Sequence, residues 1–260
     1  EGKPRRLTAQ TDHWEMFPSF SRDGRSVVYT TWDDDKLASV RVVSAAGGEG
    51  RAVTTEPGHY AEPAFSPDGA TIVYRKGGGG FLRSELYSSN QGLYKVPAAG
   101  GPSTLLVKRG VRPHFGKAGD RVFFQKPEGE TRTLSSIGLD GREERAHFAS
   151  KDATEFRVSP DGKWVAFREG FKAFIGAFAM AGQKIDLGPK TSGFPVAQVS
   201  KEAGEYLHWS GDSSKLHWAL GPELFERSLK DSFKFVANAE TLPDPPATGR
   251  DIGFTADADI

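Results

Sequence analysis

Phe20-Ser21-Arg22-Asp23-Gly24, Phe65-Ser66-Pro67-Asp68-Gly69 and Val158-Ser159-Pro160-Asp161-Gly162 are three copies of one phrase. Weaker copies run Phe115-Gly116-Lys117-Ala118-Gly119-Asp120 and Trp209-Ser210-Gly211-Asp212-Ser213. The five starts, at 20, 65, 115, 158 and 209, are 45, 50, 43 and 51 residues apart. Self-similarity at that period marks a radial or stacked repeat in which each copy is one supersecondary unit. The phrase itself is a turn. Proline presets φ, the Asp side chain bonds nearby backbone, and Gly accepts the positive φ of a returning hairpin.

Apolar stretches flank every copy. Second strands are expected at 26–31, 71–75, 121–125, 163–168 and 215–220, where Val, Ile, Phe, Tyr and Trp suit a pleated, buried surface. Third strands are expected at 38–44, 92–97 and 173–180, each running into a glycine turn, with more polar fourth strands at 51–54, 103–108 and 143–148. Four antiparallel strands with a polar outermost one make a propeller blade, because only that edge meets water. No 3.6-residue stripe of useful length appears. The fold class is therefore all-β: a β-propeller of four-stranded antiparallel blades, about five in this chain, which a larger ring can contain. The blades are expected at 12–54, 60–108, 111–149, 153–188 and 204–239, within a propeller domain spanning 1–240. Residues 5–8 resemble Arg51-Ala52-Val53-Thr54 and read as an extra closing strand, belonging either to an upstream blade or to the last one. The stretch 234–239 is the other candidate for the last blade's fourth strand. The proline-rich 241–260 reads as an exit linker toward a further domain.

Composition narrows the function classes. The 260 residues carry 34 basic and 34 acidic side chains and no cysteine. No basic stripe points to nucleic acid. No apolar run of membrane-spanning length occurs. Thiolate catalysis and disulfides are excluded. The opening Glu1-Gly2-Lys3-Pro4 is neither an initiator methionine nor a signal peptide, so a longer parent is expected.

The Phe/Val-Ser-Pro-Asp-Gly phrase, followed by strands such as Lys163-Trp164-Val165-Ala166-Phe167, resembles the WD40-like (PD40) propeller repeats of TolB over residues 5–236. A second likeness runs from Ser159–Glu169 through Gly204-Glu205-Tyr206-Leu207-His208-Trp209-Ser210 to Gly221-Pro222-Glu223-Leu224-Phe225. It resembles the N-terminal propeller of exported bacterial amidohydrolases. That resemblance implies a periplasmic or secreted parent hydrolase whose divalent metal, expected as zinc, sits in a downstream catalytic domain. The partner would be that domain, and the propeller would restrict what reaches it. No His-x-His pair occurs here, so no cofactor is assigned to this chain. Two alternatives stand beside it: a TolB-like periplasmic module that binds a protein or peptide, and a propeller-only lyase. Self-association through an open blade edge is a further expectation.

No residue is assigned a catalytic or metal-ligating role. Gly-x-Ser-x-Gly is absent, and the run Gly77–Gly80 has neither the Lys-Ser/Thr nor the helix that a phosphate loop needs. That run reads as part of a long loop at 77–92, whose Phe81, Leu82, Leu86 and Tyr87 suit docking on a neighbour. Five residues are candidate rim or channel contacts. His13 and His59 precede first strands at comparable distances from Phe20 and Phe65, while Arg75, Arg168 and Glu169 end second strands. The basic ends would shape an entrance for an anionic or carboxylate-bearing ligand. Solvated strand ends and backbone-bonded histidines are the plainer readings. His208-Trp209 and His217-Trp218 read as cross-strand neighbours with both tryptophans on one face.

Overall fold

Each Ser-x-Asp-Gly phrase closes a hairpin in the computed structural model, which describes residues 5–77 and 90–253. Ser66 Oγ donates to Asp68 Oδ1 at 2.5 Å, and Asp68 accepts the Ala70 N–H at 3.0 Å. Ser66 Oγ also accepts the Thr71 N–H at 2.9 Å, while Gly69, at φ 71°, donates to the Ser66 carbonyl. The same bonds recur at Ser21/Asp23, Ser159/Asp161 and Ser210/Asp212. The phrase is thus a pre-wired corner between the first two strands of a blade.

The chain builds five antiparallel sheets. The first holds β1 (Trp14–Phe20), β2 (Ser26–Trp32), β3 (Ser39–Ser44) and β4 (Arg51–Ala52). The second holds β5 (Tyr60–Phe65), β6 (Thr71–Lys76), β7 (Gly92–Pro97) and β8 (Thr104–Val107). The third holds β9 (Val111–Phe115), β10 (Arg121–Glu128), β11 (Thr131–Gly138) and β12 (Arg145–Ser150). The fourth has β13 (Ala153–Val158), β14 (Trp164–Glu169) and β15 (Lys172–Ala177). Next in the chain come β16 (Ile185–Asp186) and β17 (Val196–Gln198), of which β17 completes the fourth sheet while β16 adds to β12. The fifth sheet is β18 (Glu205–Trp209), β19 (Lys215–Leu220), β20 (Glu223–Ser228) and β21 (Arg250–Asp251). This is a β-propeller fold of four-stranded blades. The contacts divide the described residues into one unit of 6–149 with 181–185, and another of 150–180 and 186–253 together with residue 5.

Packing explains why the second strands read as unbroken apolar runs. In the first unit Ile72 and Tyr74 bury with Val28, Val40 and Tyr60, whereas the intervening Val73 buries with Leu93, Val122 and Phe124. A strand covered on both faces needs apolar residues at every position. In the other unit Trp209 and Trp218 share one core with Leu207, Leu216 and Phe225, while His208 pairs across the strands with His217. The two tryptophans therefore lie on a common face, as the sequence suggests.

Three expected boundaries are corrected. Residues 5–8 form no closing strand: Thr8 makes one isolated parallel bridge to Gly48, and Leu7 packs on Val27, Tyr29 and Val43. The expected fourth blade at 153–188 takes its last strand from β17, since β16 lies on another sheet. The stretch 234–239 is not a strand but begins with a helical turn, α1 (Lys234–Ala237), stopped by Asn238 at φ 52°. The reason is spacing. Phe233 and Val236 both face the core, which positions three apart do on a helix and not on a strand. The fifth sheet is completed instead from within the expected linker, where Arg227 Nη2 also donates to the Pro243 carbonyl at 2.7 Å. Of the expected loop at 77–92, residues 78–89, with Phe81, Leu82, Leu86 and Tyr87, lie outside the described residues.

Candidate ligand-binding site

The first strands of the first unit are not regular. The ladder slips between Met16 and Ser19 in β1, between Ala61 and Ala64 in β5, and in β9 beside Phe123 and Gln125. At each slip a non-glycine residue takes left-handed backbone and precedes a proline: Phe17-Pro18 (φ 53°), Glu62-Pro63 (φ 56°) and Arg112-Pro113 (φ 54°). Proline has no N–H to give the ladder. A bulge re-aims the side chain it carries, and such backbone costs about 1–3 kcal/mol per residue. The repeated x-Pro pair three residues before the aromatic of each phrase is the sequence signal for these positions. The strand pattern alone does not reveal it.

Glu62, turned out by its bulge, organises the charges around it. Its Oε2 accepts Arg75 Nε at 3.0 Å and the Arg112 N–H at 2.6 Å. Burial, and then repulsion from Arg112, hold the Arg132 guanidinium below its ordinary pKa, while Glu62 acts in the opposite sense. Arg75 is thus fixed in direction with its side chain about a third exposed. It borders a cavity of about 330 Å³ whose wall also includes Met16, Phe17, Trp32, His59 and Tyr60. Trp32 and His59 lie with ring centroids 4.6 Å apart, tilted by 40°. The indole is held in turn by its Nε1, which donates to Asp34 at 2.9 Å. Met16 and Phe17, both substantially exposed, thus line the same cavity as the Arg75 guanidinium and the His59 imidazole.

The structure brings His59 and Arg75 together and leaves His13 out. His13 sits in a nearly buried niche, with Nδ1 2.8 Å from Asp12 and Nε2 3.6 Å from Glu15. Arg168 and Glu169 belong to the other unit. Arg168 donates from Nη1 to Glu205 and from Nε to Thr154 Oγ1, each at 2.7 Å. Glu169 accepts Ser150 Oγ at 3.0 Å, and burial pushes its pKa up. Met16, Phe17 and Trp32 are site residues absent from the sequence expectation. Among the described residues no three His, Asp or Glu side chains are grouped to hold a metal ion.

With this geometry in view, the likeness to known proteins is informative at the level of fold. No protein-family model matches the chain. It is 28% identical over 151 residues to the uncharacterized peptidase YuxL of Bacillus subtilis (strain 168), covering 58% of this chain and 21% of the relative. It is 32% identical over 81 residues to the Tol-Pal system protein TolB of Francisella tularensis subsp. holarctica (strain LVS), covering 31% of this chain and 18% of that protein. TolB from Acinetobacter baumannii superposes with a TM-score of 0.62 at 15% identity, covering 83% of this chain and 52% of that one. The structure of a TolB from Agrobacterium tumefaciens gives 0.61 at 15% identity, over 85% and 79% of the two chains. The chain spans about a fifth of the length of the curated relatives it matches. Its fold is a TolB-like β-propeller, and no helix among the described residues is long and apolar enough to cross a membrane.

Proposed function

We propose that this chain is a TolB-like binding module without catalysis of its own, which takes an apolar, carboxylate-bearing segment of a partner protein. The observation that carries this reading is the cavity beside Trp32 and His59, where Arg75, held by Glu62, shares the lining with the exposed Met16 and Phe17. Aromatic and aliphatic walls favour an apolar side chain, and a pre-aimed guanidinium favours a carboxylate. Such a segment is a chain end or an acidic stretch. The compartment is part of the proposal: periplasmic or secreted, as the TolB resemblance implies.

The test is calorimetric titration with short apolar peptides ending either in a free carboxylate or in an amide. Free-acid peptides should bind, and Arg75→Gln should weaken them about 10- to 100-fold, the worth of a charge-assisted hydrogen bond. Equal binding of acid and amide forms, or indifference to Arg75→Gln, would reject the reading.

A second reading is favoured by the stretch shared with the Bacillus subtilis peptidase. Here the chain is the propeller segment of a larger exported hydrolase, amidohydrolase-like, packed on a catalytic domain and restricting substrate access. Catalysis, and any zinc, would belong to that domain. Intact mass and metal content of the protein isolated from its host decide: a much larger, metal-bearing parent supports this reading, and a metal-free parent of this size removes it.

A further inference from the structure

Two aromatic residues in the unit of 150–180 and 186–253 combine left-handed backbone with rings that are about three-quarters exposed. Phe171 stands at the second corner of the Gly170-Phe171 hairpin, whose flanks pair as Glu169 with Lys172. Both corner residues have left-handed backbone, at φ 53° and 68°. Asn-Gly is the usual solution for that geometry, and a phenylalanine strains it. The ring gains no burial in exchange, since Phe171 is 76% exposed. Tyr206, at the slip in β18, repeats the pattern with φ 56° and 74% exposure. The Gly204 N–H donates to the Phe171 carbonyl at 2.9 Å, and Tyr206 follows two residues later. The same corner carries Arg168, bonded to Glu205 and Thr154.

Local rules broken without a return in packing mark function rather than folding. The size of the feature limits what it takes. Two aromatic side chains present at most about 500 Å² between them, less than the ~800 Å² that each partner typically buries in a stable protein interface. Their exposed π-faces suit a ligand with flat, electropositive C–H faces. Arg168 with Glu205 adds a donor fork and an acceptor whose charges cancel, which suits adjacent hydroxyls better than an anion.

We propose that Phe171, Tyr206, Arg168 and Glu205 form a binding site for a neutral glycan chain, the rings stacking on sugar faces and the ion pair holding hydroxyls. The site uses no residue of the cavity and stands independently of it. The test is affinity electrophoresis of the whole chain through gels containing soluble xyloglucan, glucomannan or glycogen, with alginate gels as the anionic comparison. Retardation is expected in at least one neutral gel, and its loss in Phe171→Gly and Tyr206→Ala. Phe171→Gly should also raise the thermal midpoint, because glycine relieves the turn. The proposal is overturned by no retardation in any neutral gel, by retardation that survives both substitutions, or by equal retardation in alginate. A lowered midpoint in Phe171→Gly would overturn it as well, since the ring would then be serving the fold.

Discussion

His147 lies with Nε2 2.8 Å from Ser136 Oγ, walled off from water, and its pKa falls to about 4 through burial, with Arg121 and Arg145 adding to the effect. The unfolded chain holds the imidazole near its ordinary value of about 6.5. Unfolding therefore takes up a proton between these values, and the sign follows: the contribution is complete above pH ~6.5 and is lost as pH falls toward 4. Urea midpoints should drop from pH 7 to pH 5, and His147→Gln should flatten that slope. Parallel slopes would show that His147 does not carry it. The turn carboxylates act lower. Asp212 is held at about 2, first by the Ser210 hydroxyl and then by Ser214, and Asp23 and Asp68 are lowered by their serines. Their stabilisation is present above pH ~4 and disappears as each folded pKa is passed. Gly69 tests the turn sterically. Nothing lies within 4 Å of a Cβ added there, and φ is 71°, so Gly69→Ala should cost about 1–2 kcal/mol from backbone strain alone. These turns are legible in sequence because Ser, Asp and Gly each name their own bond. His147 is not, because its pKa depends on neighbours from other strands.

Strands were readable wherever residue type and alternation agreed, as at β7 and β19, and unreadable where the third dimension decided. The segment after Phe233 has apolar residues that fit two periods. A strand would place Phe233 and Phe235 on one face, whereas here Phe233, at the N-cap of the helical turn, is buried, Val236 packs partly buried against the same core, and Phe235 is 64% exposed. Phe233 also stacks on Trp164 at 4.9 Å, against 6.3 Å for Phe235. Denaturant unfolding should therefore separate them: Phe233→Ala costs about 3 kcal/mol or more, and Phe235→Ala about 1 kcal/mol or less. Equal losses would favour a strand. The proline bulges are the opposite case. Phe17-Pro18, Glu62-Pro63 and Arg112-Pro113 sit in the sequence at matching offsets. Only the observed backbone shows that one bulge puts Phe17 on the cavity wall and another sets Glu62 against Arg75, so His59 and Arg75 were foreseeable there and Phe17 was not.

At the scale of the molecule, the 43- to 51-residue period specifies a propeller because blades depend on pattern more than on particular residues. It says nothing of which surfaces remain for partners, and β1 is where that matters most. β1 is the end strand of its sheet, yet Trp14 is 74% and Phe20 59% exposed, with Met16 and Phe17 also uncovered. The corresponding positions of β5 and β9 are largely covered. An end strand with several exposed apolar side chains is a surface for association even where a bulge interrupts its ladder. Light scattering should therefore show mass rising above the monomer with concentration, and Trp14→Lys with Phe20→Lys should hold it at the monomer. These substitutions lie outside the buried clusters, so the thermal midpoint should change little. A wild-type chain that stays monomeric at every concentration would mean that β1 is not an association surface between copies, and its exposed side chains would then point to a different partner.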